Sequence, residues 1–142
     1  MANIDRANEK ITINEVREFE SQYGLKLPEP YIDFLLKYNR GYPELSIFKI
    51  SDEEGESVLN DFYGIGDMKD SLAKVFEVLD GVLPEGFISI GSDPGGNEIC
   101  IGISEEYFGQ IYFWMHDMES VEEMDNMFLL SSSFKDFFDH LY

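Results

Sequence analysis

Apolar residues recur at three- and four-residue spacing in four stretches of the chain and at alternate positions in several others, so the pattern mixes helices with strands. Thr12 followed by Glu15 has capping-box spacing, Val16, Phe19 and Tyr23 then share a helical face, and Gly24 is a natural stop. Leu27-Pro28-Glu29-Pro30 is a stiff connector, because each proline restricts the residue before it. Tyr31, Phe34, Leu35 and Tyr38 form the stripe of a second helix that ends by Asn39-Arg40-Gly41. Residues 45–50 and 58–63 have strand character, separated by an exposed acidic turn, Asp52-Glu53-Glu54-Gly55-Glu56. Asp67 is placed to cap a third helix in which Leu72, Val75, Phe76 and Leu79 share a face, and Asp80-Gly81 ends it.

Beyond Leu83-Pro84-Glu85-Gly86, strands are expected over 87–91, 97–103 and 110–115. Ile99, Ile101 and Ile103 alternate, as do Ile111, Phe113 and Met115, which gives each strand one strongly apolar face. Tyr112 and Trp114 interleave with the second set; whichever set faces the core, the other lies exposed or under helices. Residues 92–96 and 104–109 suit the reversals of an antiparallel meander, and 117–125 is an acidic excursion. A short apolar piece, 127–130, precedes a last helix capped by Ser133, with Asp136 three residues on and Phe134, Phe137, Phe138 and Leu141 facing inward. The order predicts an α+β fold: a largely antiparallel sheet with helices packed on one side, in a single domain over residues 1–142 without repeats or a low-complexity linker.

Composition supports a folded domain, since 44% hydrophobic and 15% aromatic residues can build a core in 142 residues. Charge changes the picture more. The chain carries 29 acids against 10 bases, a net −19, and the excess is uneven: residues 1–50 hold eight acids and seven bases, residues 51–142 hold 21 acids and three bases. Such a surface repels nucleic acid and anionic membrane, so neither is expected as a partner. The bland reading of the acids is a solvated, solubilising face; the sharper one is a surface that meets a cationic partner. With one cysteine, Cys100, no secretory leader and no apolar run long enough to span a bilayer, a soluble cytoplasmic protein is expected.

Candidate chemistry is sparse. His116 beside Asp117 reads as a base with its orienter or as a polar strand end entering a turn, and adjacency does not make the two meet. His140 lies near the end of the last helix, where a cation is favourable. Cys100 sits between Ile99 and Ile101 and reads as a small buried side chain. The spacing of Cys100, His116 and His140 matches no metal site. Asp93-Pro94-Gly95-Gly96-Asn97-Glu98 is glycine-rich, yet a strand follows it and no lysine is near, so it is no phosphate cradle. Its oxygen side chains do not have the calcium-loop spacing either, which leaves a tight hairpin turn. No catalytic residue, metal or cofactor is expected.

Several of these segments, in this order, resemble the SUKH superfamily, and more narrowly its branch with the fungal cell-wall-assembly regulator domain. They are Val16-x-x-Phe19-Glu20, Leu27-Pro28-x-x-Tyr31-x-x-Phe34-Leu35, Leu83-Pro84-x-x-Phe87-Ile88-x-Ile90-Gly91-x-Asp93-x-Gly95-Gly96-Asn97, Gly109-x-Ile111-Tyr112-Phe113-Trp114-x-His116-Asp117 and Ser133-Phe134-x-x-Phe137. The likeness covers about residues 12–141; Arg40 before Gly41 departs from the glycine pair common in relatives. The resemblance implies an α+β fold and, for bacterial members, immunity proteins that neutralise polymorphic toxins by binding them. The partner it implies is a cognate toxin domain, here expected to be cationic and of the nuclease kind. The alternative is a non-catalytic regulatory or scaffold module that binds an endogenous protein. The family's binding surface varies between members, so the contact candidates come from charge density and loop position alone. They are Asp52, Glu53, Glu54 and Glu56; Glu105, Glu106 and Tyr107; and Asp117, Glu119, Glu122 and Glu123.

Overall fold

The capping box at Thr12 is formed in the computed structural model, which describes residues 4–5, 10–39, 41–66, 71–117, 122 and 124–142. The Thr12 hydroxyl accepts the Glu15 N–H and the Glu15 carboxylate accepts the Thr12 N–H at 3.2 Å, which satisfies two donors that a helix start leaves unpaired. Helix α1 (Ile13–Tyr23) stops at Gly24, whose φ of 65° is the left-handed conformation that glycine adopts without strain. Helix α2 (Glu29–Lys37) carries Pro30 in its first turn, where a missing N–H costs no intrahelical bond. Asn39, at φ 57°, ends the run and clamps a distant loop: its side-chain amide donates to the Ile65 carbonyl and accepts the Ile65 N–H, at 2.9 and 2.8 Å. Arg40 lies outside the described residues.

Between α1 and α2 the buried Glu20 carboxylate accepts the Leu27 N–H at 2.7 Å and the Arg17 guanidinium at 2.7 Å. One acidic side chain therefore fixes the elbow that the two prolines stiffen.

Strand β1 (Ile4–Asp5) pairs with β2 (Tyr42–Pro43), and β3 (Ile47–Ser51) with β4 (Gly55–Val58), both antiparallel. The larger sheet has the order β5 (Asp61–Phe62), β6 (Phe87–Ser92), β7 (Glu98–Gly102), β8 (Ile111–Trp114), β9 (Met127–Ser131), each strand antiparallel to its neighbours. The strand expected over 58–63 is divided between the two sheets. The Leu59 N–H bonds to Ser46 on the hairpin side, whereas the Asn60 N–H bonds to Ser92, so the chain crosses from the hairpin to the larger sheet there. The apolar piece at 127–130 proves to be the edge strand β9. Helix α3 (Leu72–Leu79) is capped by the Ser71 hydroxyl, which accepts the Lys74 N–H at 3.2 Å; the expected cap, Asp67, lies outside the described residues. Helix α4 (Phe134–Asp139) starts at Ser133 as expected, and the His140 ring Nδ1–H donates to the Asp136 carbonyl at 2.7 Å.

Cross-strand register decides the core. Ile88 pairs with Ile101 and Ile101 with Ile111, while Ile99 pairs with Phe113, so these side chains share one face of the sheet. That face is covered by helical residues, including Val16, Tyr31, Phe34, Leu35, Phe134 and Phe137. Phe34 is the hub of an aromatic knot, with ring centroids 4.8 Å from Phe62 and 5.0 Å from Phe134. Pairs of this kind contribute about 0.5–1.5 kcal/mol beyond their buried area. The Tyr31 ring belongs to the same knot, yet its hydroxyl has no hydrogen-bond partner among the described residues, and burial pushes its pKa far upward.

Two stability outcomes follow. Tyr31→Phe deletes a buried hydroxyl with no partner, so the denaturation midpoint should stay level or rise. Glu20→Ala strands the Leu27 N–H and should lose about 2 kcal/mol, read by urea unfolding.

Candidate partner-binding surface

Glu98, Cys100, Tyr112, Trp114 and Met127 face away from the helices, because each alternates with a residue of the main core. This second face is largely covered, though not by helices, and at its β9 edge Leu129 is 54% exposed. Phe87, Cys100, Trp114 and Met127 form a separate buried cluster, and Leu83, Tyr107, Tyr112 and Met124 pack against it. The cover is therefore loop: the turn before β6, the 104–109 reversal and the stretch leading into β9. Gly102 permits it, since a Cβ there would lie 2.0 Å from the Tyr107 carbonyl oxygen. The Tyr107 ring then sits 4.8 Å from Phe87 and 6.0 Å from Tyr112.

At the 92–97 end the polar groups are engaged with one another. The buried Asp93 carboxylate accepts from the Ser57 hydroxyl at 2.9 Å, from the Gly95 and Asn97 N–H groups at 3.0 and 2.9 Å, and from the Asn97 side chain at 3.1 Å. The His116 ring Nε2–H donates to the Gly95 carbonyl at 2.8 Å, and the His116 N–H to the Asn97 side chain at 3.0 Å. The glycine-rich turn thus turns its N–H groups onto its own aspartate, and His116 braces it. Beside it the buried Glu98 carboxylate accepts the Ser89 hydroxyl at 2.6 Å and the Tyr63 hydroxyl at 2.9 Å. Desolvation outweighs these hydrogen bonds and holds the Glu98 carboxyl above the usual range. Burial likewise pushes the Cys100 thiol up. Among the described residues no group of three or more His, Cys, Asp or Glu is placed to hold a metal ion.

The acidic candidates fall into different places. Asp52, Glu53 and Glu54 occupy the turn between β3 and β4 and Glu56 lies on β4, all exposed; Lys49 pairs with Asp52 and lowers its pKa. This set stands on the separate two-stranded sheet. Glu105 and Glu106 are exposed on the 104–109 reversal, with Tyr107 half-buried beside them. Asp117 is exposed past the end of β8, and Glu122, also exposed, donates its N–H to Asp125 at 2.9 Å. Glu119 and Glu123 lie outside the described residues. A cavity of about 350 Å³ is lined by Glu85, Gly86, Ser104, Glu106, Tyr107 and Met124, which brings the reversal together with the turn before β6 and the stretch into β9.

Sequence reading missed the neighbouring groove. A cavity of about 430 Å³ lies between α3 and β6, floored by Phe76, Leu79, Leu83, Phe87 and Ile103 and edged by Asp80 and Glu85. Leu72, Val75, Phe76 and Leu79 share a face as expected, yet only Leu72 of the helix is fully buried, while Val78 and the following Val82 are 74% and 54% exposed. Apolar residues on more than one side of so short a helix were the available signal. Between Lys74 and Lys135 the chain has twelve acids and no Lys or Arg, so no basic side chain from that stretch offsets the acids around the groove.

A model of the SMI1 / KNR4 family (SUKH-1) matches residues 10–140. The chain is also similar to the SPbeta prophage-derived uncharacterized protein YokK of Bacillus subtilis (strain 168), at 31% identity over 145 aligned positions covering 89% of this chain and 72% of that protein. Among the described residues no helix is long and apolar enough to cross a membrane.

The Glu98 site sets a pH dependence. A carboxyl whose folded pKa is raised stabilises the fold while protonated, and that contribution is lost as pH rises through the folded value. Glu98→Gln keeps an oxygen acceptor for Ser89 and Tyr63 without the buried charge. It should therefore melt higher than the parent at pH 7, with the difference closing as pH falls through the raised folded value into the ordinary glutamate range, where the parent carboxyl is protonated in both states.

Proposed function

The chain belongs to the SMI1/KNR4 (SUKH-1) family, and from that premise we propose that it is an immunity protein that binds a cognate cationic toxin domain and neutralises it without catalysis. One observation carries the reading: an apolar and aromatic surface, floored by Phe76, Leu79 and Phe87 with Tyr107 beside it, is set in a stretch of chain that holds twelve acids and no base. The acids steer a basic partner and speed encounter, while aromatic and aliphatic anchors supply the affinity that charge alone does not. A nuclease toxin fits, because an enzyme that grips a phosphate backbone presents a basic face, and covering that face blocks the substrate. The similar Bacillus subtilis protein is prophage-derived, which supports the reading. His116 and Glu98 support this reading rather than an enzymatic one, since His116 Nε2 is bonded to Gly95 and Glu98 lies buried with Ser89 and Tyr63.

The reading predicts a toxin domain encoded beside this gene, and co-expression with that domain is the test of function. Cells should survive the toxin only when this chain is present; equal killing with and without it would refute the pairing. The electrostatic part is separable by stopped-flow kinetics. The association rate should fall by about tenfold or more between low and physiological salt, and a rate that barely changes would contradict steering.

A further inference from the structure

We infer that the groove between α3 and β6 takes a single large apolar side chain of a cationic peptide segment of the partner, which deepens the proposed function and rests on it. The floor is apolar and the cavity, at about 430 Å³, has room for a Leu, Phe or Trp side chain together with adjoining backbone. Its edge carries Asp80 and Glu85, and Glu106 lies across the adjoining cavity, which shares Glu85 and Gly86 with it. Residues flanking the anchor on the Asp80, Glu85 and Glu106 side therefore meet carboxylates, and Lys or Arg is the fitting choice there, whereas past Ile103 the lining includes Arg17 and Lys26.

The occupant is a peptide rather than an isolated apolar molecule because of the strand that forms one wall. Strand β5 pairs with β6 only at Gly91 and Ser92, so among the described residues no strand covers the outer edge of Phe87–Ser89. The Ile103 N–H bonds to the Gly86 carbonyl at 2.8 Å, which sets the alternation of the β6–β7 ladder. Ile88 then bonds across to Ile101, while the main-chain N–H and C=O of Phe87 and Ser89 turn to the groove side. Those groups lie at the groove wall, although Phe87 and Ser89 are themselves buried, and a peptide backbone offers them partners that an isolated apolar molecule lacks, in the manner of edge-strand recognition. The groove between α2 and α4 is the competing apolar site, but Lys37 and Lys135 sit beside Asp33 and Asp139 along it, so it selects no charge.

The probe is a capped hexapeptide, Lys-Arg-Leu-Phe-Lys-Arg, titrated into the full ¹⁵N-labelled chain at low salt. A serine–glycine version of equal charge lacks the anchor, and a glutamate-flanked version keeps the anchor with the charge reversed. Saturable shifts should appear at residues 76–89 and 103–107 with the first peptide, and affinity should drop at least tenfold with either control. Asp80→Lys with Glu85→Lys should weaken the first peptide at least tenfold, whereas Glu53→Lys with Glu54→Lys, the same charge change on the hairpin turn, should weaken it less than threefold. Equal weakening by both pairs, equal binding of the serine–glycine peptide, or shifts centred elsewhere would each overturn the groove assignment. Toxin protection that survives Asp80→Lys with Glu85→Lys at unchanged affinity would also overturn it and leave the immunity reading standing. Groove binding without protection by the parent chain would do the reverse.

Discussion

Strand β7 is buried on both faces, and the rest of the structure follows from that constraint. Its residues Ile99 and Ile101 meet the helices, and Glu98 and Cys100 point the other way, yet every one of them is enclosed. The helices of this chain cover one face, so loops close the second. Gly102 allows the 104–109 reversal to fold back within reach, Tyr107 and Met124 supply the apolar contact, and the loop exteriors face water. Loops that cover a core while facing solvent carry charge on their outer side, and here that charge is nearly all acidic.

The helical part was legible in the sequence because its signals are local. Thr12–Glu15, Gly24, Pro30 and Ser133 each act within one turn of chain, and each lies where its chemistry requires. The hairpin turns at 92–97 and 104–109 were legible for the same reason. The role of the face bearing Tyr112 and Trp114 was not, since periodicity places a residue on a face without saying what lies over it. The division at 58–63 was hidden because partner choice is a long-range property: Leu59 and Asn60 bond to residues far apart in sequence. Nothing local to α1 marks Glu20 as needed at Leu27; only the path of the connector reveals it.

The acidic candidates illustrate the same limit. Charge density finds carboxylates wherever they are dense, and it ranked the β3–β4 turn alongside the others. It does not find the apolar cavity that lets a charged surface hold a partner. Phe76 and Leu79 were read as sharing one helix face; Phe76 packs against the main core, and both also line the groove, which Asp80 and Glu85 edge. Acid and apolar surface coincide there, and Tyr107 extends the apolar part toward Glu106. On the proposed reading, one region of this −19 chain does more than repel or attract.

Hydrogen–deuterium exchange on this chain, alone and with the proposed toxin partner bound, tests the central claim most directly. The account predicts slowed exchange over residues 76–89 and 103–107, with the β3–β4 turn unchanged. Protection confined to the β3–β4 turn, or to α2 and α4, would contradict it.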